Sequence, residues 1–145
     1  MVNKRNTFGS TCLLLATVLV VSGCQVRGPD MVASGEVSLE KVDAPGVRVM
    51  WAEVRQDGDY AVVNGAVTPA GGNYEYIGYV DVKFLDPAGR LVQQAMSETI
   101  PLSSQSPERG ASIKHFEVQA MTVVPVGGTV QVSYLLGRSP KDLGM

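Results

Sequence analysis

Cysteine is scarce in this 145-residue chain, and its two cysteines, Cys12 and Cys24, both lie near the amino terminus. After Cys24 the sequence offers no thiol that could form a disulfide, bind zinc or act as a catalytic nucleophile. Any folded part must therefore be stabilised by packing and by main-chain hydrogen bonds rather than by covalent cross-links.

Histidine is scarcer still, since His115 is the single one in the sequence. A serine-based triad needs a nucleophile and a carboxylate that converge on such a ring, and neither Ser112 nor Ser133 lies in a sequence context typical of an activated serine. Because Phe116 is expected to face a hydrophobic core, its neighbour His115 should face solvent. No glycine-rich phosphate loop and no paired-carboxylate motif stands out, so we expect a protein that is not an enzyme and uses no cofactor.

An excess of basic residues is also missing. The chain has 12 lysines and arginines against 14 aspartates and glutamates, a net charge of −2. Proteins that bind nucleic acid need lysine and arginine side chains to neutralise phosphates. We therefore exclude nucleic acid from the expected partners.

No hydrophobic run is long enough to cross a membrane as a helix. The longest apolar stretch covers about ten residues, 12–21, and follows a start that carries Lys4 and Arg5. A helix that spans a bilayer needs ~20 apolar residues. A basic start, a short apolar run and then small residues are typical of a secretory signal peptide, which we place at residues 1–23.

The residues that follow the apolar run, Val21, Ser22, Gly23 and Cys24, resemble the lipobox of bacterial lipoproteins. The resemblance implies cleavage between Gly23 and Cys24, a diacylglyceryl group on the Cys24 thiol and acylation of the new amino group. Two or three acyl chains hold a protein on a bilayer far more firmly than one. Gln25, with no aspartate at that position, implies sorting to the outer membrane, facing the periplasm. A plain secretory signal with an incidental cysteine, or a short amphipathic anchor, is the alternative interpretation.

From residue 36 onward, apolar residues recur at every second position, and glycine, proline and aspartate interrupt the pattern at short intervals. This alternation predicts strands and no helix. The expected fold is all-β, a seven-stranded antiparallel sandwich of the immunoglobulin-like type over residues 36–137. Residues 24–35 are expected to form a lipidated tether and residues 138–145 a polar tail that frays. The predicted strands cover residues 36–40, 47–55, 60–68, 74–85, 90–100, 111–120 and 129–136.

Two local features of these strands leave alternatives open. Asn64–Gly65 is a strong cue for a two-residue hairpin, yet a turn there would leave two very short strands. We favour a continuous third strand in which Gly65 marks a bulge or the close approach of another backbone. The second strand has apolar residues on both faces, so either face could be the buried one. In the fifth strand Val92, Met96 and Ile100 are the expected inward residues.

One segment resembles the small extracytoplasmic immunoglobulin-like modules of the FxLYD type. The stretches "VVNGAVTPAGGNYEYIGYVDVKFLDPAGRLV", which begins at Val62, and "GASIKHFEV", which begins at Gly110, carry the resemblance. It implies an immunoglobulin-like fold in an exported protein or lipoprotein, and it assigns no activity. The matching positions are Gly65, Val80, Val82, Phe84, Asp86, Gly89 and Phe116.

The best candidates for a binding surface are aromatic. Tyr74, Tyr76 and Tyr79 are close in sequence, with Trp51 on a nearby strand, and tyrosine and tryptophan are favoured at interfaces. The polar loop at residues 101–110 could also contact a partner, as loops on a rigid scaffold often do. We therefore expect a non-catalytic interaction module, attached to the membrane by acyl chains, whose partner is a protein of the cell envelope.

A carrier of a small ligand or of copper is the alternative function. Cu(I) prefers soft ligands, and His115 with Met96 and Met121 form the weak candidate set. Methionine is also an ordinary filler of protein cores, and no Met-x-Met or His-x-Met spacing occurs. The sequence therefore predicts no metal site.

Overall fold

The computed structural model describes residues 28–70, 75–103 and 112–144. The predicted signal peptide, the cleavage and lipidation site at Gly23 and Cys24, Tyr74 and most of the 101–110 loop lie outside these ranges. No helix in the described ranges is long and apolar enough to cross a bilayer. The strands are β1 Ser38–Val42, β2 Val47–Asp57, β3 Tyr60–Pro69, β4 Glu75–Leu85, β5 Leu91–Ser103, β6 Lys114–Met121 and β7 Thr129–Leu136.

The seven strands form two sheets, as expected for a β-sandwich. One sheet has the order β1-β7-β4-β5 and the other the order β2-β3-β6. The prediction that every pair is antiparallel was wrong for β1 and β7, which run parallel. A tight hairpin can join only antiparallel strands, and β1 meets a strand from the far end of the chain, so no local turn fixes their relative direction.

A bulge in β2 explains why both of its faces carry apolar residues. The register with β3 shifts between Val49 and Trp51, which inserts Met50 as an extra residue. Because side chains alternate with period two, one extra residue moves the following ones to the opposite face. Val49 is therefore buried before the bulge and Val54 after it, while Trp51 lies on the outer face with 43% of its surface exposed.

Strand β3 runs without interruption through Asn64 and Gly65, so the preference for a continuous strand is confirmed. Gly65 pairs with Phe116 of β6, and a side chain at Gly65 would overlap both the Phe116 ring and the carbonyl of Trp51. Of the two alternatives for Gly65, the close approach of another backbone is the one found, while the bulge lies on the neighbouring strand β2.

A second bulge, in β5, corrects the predicted core of that strand. The register with β4 shifts where Tyr79 pairs with Thr99 but Asp81 pairs with Met96. Ile100 packs against the core as expected. Val92 is 48% exposed, and Met96 pairs with Asp81 on the outer face, so these two are not core residues. The bulge is held by Ser97, whose hydroxyl accepts a hydrogen bond of 2.8 Å from the main-chain N–H of Val80.

Both ends of the described chain pack onto the sandwich. Met31, in the segment expected to be a tether, is 8% exposed and belongs to the hydrophobic core. At the other end Pro140–Leu143 forms a 3₁₀ helix beside β5, and Ser139 is fully buried. The packed part of the chain therefore begins before residue 36 and extends past residue 137.

Candidate interaction surfaces

Two of the three tyrosines proposed as a surface, Tyr76 and Tyr79, lie on opposite faces of β4, and Tyr74 lies outside the described residues. Tyr76 points inward from β4, where it is half-buried and packs against the core. Tyr79 pairs with Thr99 and Leu135 and lies on the opposite face of the same sheet. Two tyrosines an odd number of positions apart on a regular strand necessarily face opposite ways.

The weak metal candidates are also separated. His115 and Met121 are exposed on β6, six residues apart, which corresponds to ~20 Å along a strand. Met96 lies on β5, in the other sheet. Within residues 28–70, 75–103 and 112–144, no group of three or more histidine, cysteine, aspartate or glutamate side chains could hold a metal ion.

His115 has an aromatic partner instead of a catalytic one. Its ring lies 6.1 Å from that of Trp51, tilted by 55°. The two residues flank Ala66 on the outer face of the three-stranded sheet, and Ala66 is fully buried although it faces outward. Ser133, one of the serines considered for catalysis, lies on β7 in the other sheet. Sequence alternation missed the Trp51–His115 pair because it depends on the β2 bulge.

A small polar cleft of about 160 Å³ lies next to this aromatic pair, on the same outer face. Arg55 spans it: its guanidinium donates to the carbonyl of Gly28 at 2.5 Å and to the carboxylate of Glu53 at 3.0 Å. The hydrogen bond with Glu53 raises the pKa of Arg55 above its ordinary value, so this side chain is a permanent, already paired cation. The cleft is lined by Gly28, Arg55, Asp57, Val62, Asn64, Glu117 and Gln119.

The amino-terminal segment covers the free edge of β2. The carboxylate of Asp30 accepts hydrogen bonds from the N–H groups of Val32, at 3.0 Å, and Val54, at 3.1 Å. The N–H of Met31 donates to the carbonyl of Val54 at 2.7 Å. Farther along the strand, Asp43 accepts from the N–H of Val49 at 3.0 Å. These contacts satisfy main-chain groups that would otherwise be open to another strand.

The carboxy-terminal segment covers part of the β5 edge in the same way. The hydroxyl of Ser139 donates to the carbonyl of Ser97 at 2.6 Å, and the carboxylate of Asp142 accepts from the N–H of Thr99 at 3.0 Å. Hydrogen bonds from the hydroxyl and main chain of Thr99 lower the pKa of Asp142. The chain thus uses a carboxylate near each of its two ends to cap an edge strand.

Strand β6 has no such cover among the described residues. Both main-chain groups of Val54 point away from β3, so Val54 and its partner Val63 form a non-hydrogen-bonded pair. By the alternation of antiparallel ladders, Val63 bonds to Val118 on β6. The main-chain groups of Glu117 and Gln119 then point to the free edge. The main-chain groups of His115, two residues before Glu117, point to the same free edge.

Comparison with protein-family models, with curated proteins and with solved structures found no match for this chain.

Proposed function

We propose that the protein is a lipid-anchored, non-catalytic interaction module of a bacterial cell envelope, held by acyl chains on Cys24. The anchor rests on Val21, Ser22, Gly23 and Cys24, which follow a basic start and a short apolar run. The segment that follows Gly28 docks onto β2 through Asp30 and Met31, so the folded domain begins within a few residues of that cysteine. Only residues 25–27 separate Cys24 from that docked segment. A folded domain attached so closely to a lipid would act at the membrane surface itself.

The distance from the membrane follows from the chain length. The four residue steps from Cys24 to Gly28 span at most ~14 Å when fully extended. Gly28 lines the polar cleft on the outer face of the three-stranded sheet. The outer membrane, with the domain facing the periplasm, is the proposed location because Gln25 follows the cysteine.

The sandwich is proposed to be of the immunoglobulin-like type. In that type, strands A, B and E share one sheet and strands C, F and G the other. The order β2-β3-β6 corresponds to A, B and E, and β4 and β7 correspond to C and F, with β5 beside C. β1 takes the place of strand G, but it comes from the amino-terminal side and runs parallel to β7.

Non-catalytic binding is supported by the surroundings of the titratable groups. His115 is exposed and contacts Trp51 rather than a carboxylate. Arg55 is paired with Glu53. Asp86 accepts hydrogen bonds from the N–H groups of Ala88 and Arg90 within its own turn. These contacts give each side chain a structural role, while exposed Trp51 and the open β6 edge offer surface to a partner in the envelope.

Replacement of Cys24 tests the anchor. The Cys24→Ala variant should incorporate no alkyne-labelled palmitate and should accumulate as uncleaved precursor, whereas the matched Cys12→Ala variant should be labelled and processed normally. Membrane fractionation should place the labelled protein in the outer-membrane fraction. Normal processing of Cys24→Ala, or an unmodified thiol found at Cys24 by mass spectrometry, would contradict the anchor.

A further inference from the structure

We propose that the free edge of β6 binds β6 of a second copy of this chain, in antiparallel orientation about a two-fold axis. The inference deepens the proposed interaction module and rests on it for the shared membrane. The described part of the chain covers the edges of β2 and β5 with Asp30 and Asp142 but leaves β6 open. β6 is eight residues long, and an uncovered strand edge is a template for another strand. In the register proposed below, residues 114–118 of β6 lie opposite residues 118–114 of the second copy.

The side chains of β6 complement one another when the strand pairs with itself. When Phe116 pairs with Phe116 of the second copy, His115 of each copy lies opposite Glu117 of the other. His115 and Glu117 are both exposed on the outer face. One carboxylate oxygen of Glu117 accepts from Gln119 at 2.7 Å, which leaves the other oxygen to accept from an imidazole N–H of His115. A hydrogen bond from the imidazole to the carboxylate would stabilise each of the two cross-strand pairs.

The main-chain groups fit this register. In an antiparallel ladder, directly opposite residues either exchange both hydrogen bonds or exchange none. The groups of His115 and Glu117 point to the free edge, so each His115–Glu117 pair can exchange two hydrogen bonds. A register shifted by two residues would instead place Glu117 opposite Glu117, and like charges directly opposite each other are destabilising. Charge therefore selects the first register over this neighbour.

The two-fold axis also suits two lipid anchors. Two identical antiparallel strands of one sheet are related by a two-fold axis perpendicular to the sheet. The outer faces of both copies therefore lie on the same side. Gly28 lines the outer-face cleft together with Glu117 and Gln119. Gly28 of both copies would therefore lie on the same side of the dimer, which allows both anchors to reach one bilayer. Confinement to that bilayer raises the effective concentration of the two edges, as a linker does for tethered partners.

Pairwise cysteine cross-linking in cells that make the full chain tests the register. Two differently tagged copies, one His115→Cys and the other Glu117→Cys, should form a disulfide, because opposite residues in a hydrogen-bonded pair lie ~5.5 Å apart. The neighbouring register is reported by His115→Cys with Gln119→Cys, which should give little adduct. Arg48→Cys on β2, combined with itself, measures random collision.

Two further sets of variants separate the edge from the fold. In the Glu117→Cys copy, His115→Pro removes an edge N–H that β3 does not use and that pairs in the proposed register, so it should abolish the disulfide. His115→Ala in the same copy also loses the contact with Trp51, so it should have the same melting temperature but keep the disulfide. Without added cysteines, Glu117→Lys should lower copurification of two tagged copies about tenfold, because symmetry removes the acceptor from both His115–Glu117 pairs. The double exchange His115→Glu with Glu117→Lys should restore it.

The proposal is overturned if His115→Cys and Glu117→Cys give no more adduct than the Arg48→Cys control, or if the adduct contains a different protein. Palmitate labelling of Cys24, measured in the same cells, separates the two proposals. A labelled protein without adduct overturns the β6 pairing alone. An adduct formed by an unlabelled protein keeps the pairing and overturns the anchor.

Discussion

The ring of Phe116 lies over Gly65 and fills the space that a side chain at position 65 would need. The two residues are direct register partners on β6 and β3, and the carbonyl of Trp51 on β2 approaches from the other side. The opposite sheet repeats the arrangement, since the ring of Tyr134 occupies the space beside Gly78. Each sheet is thus packed around a glycine that an aromatic ring covers.

Gly65→Ala should destabilise the domain by at least ~1–3 kcal/mol, the usual penalty for an overpacked core. The methyl group would collide with the Phe116 ring, which can shift, and with the main-chain carbonyl of Trp51, which cannot shift without distorting the sheet. Chemical denaturation measures the change, with Asn64→Ala on the outer face as the matched control. Phe116→Leu added to Gly65→Ala should restore only part of the stability, and complete restoration would contradict the role given to the carbonyl.

Asp30→Ala should release the amino-terminal segment from β2. The substitution leaves the N–H groups of Val32 and Val54 without their acceptor, and each lost hydrogen bond to a charged group is worth ~1.5–3 kcal/mol. The variant should become sensitive to limited proteolysis between Gly28 and Val37, while Asp59→Ala, in an exposed turn, should not. Equal resistance of the two variants would show that Met31, together with the bond from Arg55 to the carbonyl of Gly28, is sufficient to hold the segment.

Tyr134→Phe should lower stability by ~1 kcal/mol at neutral pH. The Tyr134 hydroxyl donates to the carbonyl of Ile100 at 2.8 Å, across β4, and the side chain is 1% exposed. Removing the hydroxyl leaves that carbonyl without this donor. Tyr60→Phe, at an exposed position, is the matched control and should change the free energy of unfolding little.

Alkaline pH should change the stability of the parent relative to Tyr134→Phe, but not relative to the control Tyr60→Phe. Burial raises the pKa of Tyr134 to about 12, against ~10 in the unfolded chain. The unfolded state loses this proton first, so the contribution of Tyr134 is fully present below pH ~10 and is lost as the pH rises through the folded value. The stability of the parent relative to Tyr134→Phe should therefore fall by up to ~2–3 kcal/mol over that window, so the initial advantage of ~1 kcal/mol should reverse. A constant difference between pH 9 and pH 12 would contradict the assignment.

Strand positions could be predicted because alternation and turn residues are local signals. The last strand was predicted at 129–136 and is found at Thr129–Leu136. The turn after β4 follows from Asp86, which accepts hydrogen bonds from the N–H groups of Ala88 and Arg90, and from Gly89 with a φ of 80°. Each of these features is formed by residues within a few positions of one another.

What could not be predicted depends on pairing between distant segments. The extra residue in each bulge, Met50 in β2 and one near Ser97 in β5, has no distinctive side chain, so the change of face is visible only from the partner strand. The segments around Asp30 and Asp142 lack periodicity, because a few separate contacts rather than apolar stripes hold them: Asp30 and Met31 at one end, Ser139 and Asp142 at the other. The open β6 edge likewise follows from strand order, which alternation does not reveal.

Asp142→Ala should uncover the β5 edge without unfolding the sandwich. Asp142 accepts from the hydroxyl and N–H of Thr99, and these bonds lower its pKa, so its contribution is present above the ordinary value of ~3.9 and is lost as the pH falls through the lowered folded value. At neutral pH the variant should exchange the Thr99 amide hydrogen faster, while Lys141→Ala, next to it in the 3₁₀ helix, should not. The parent should show the same acceleration only in acid, relative to the core amides of β4. If acid or the substitution leaves the exchange of Thr99 unchanged, then Ser139, through its bond to Ser97, is sufficient to keep the edge covered.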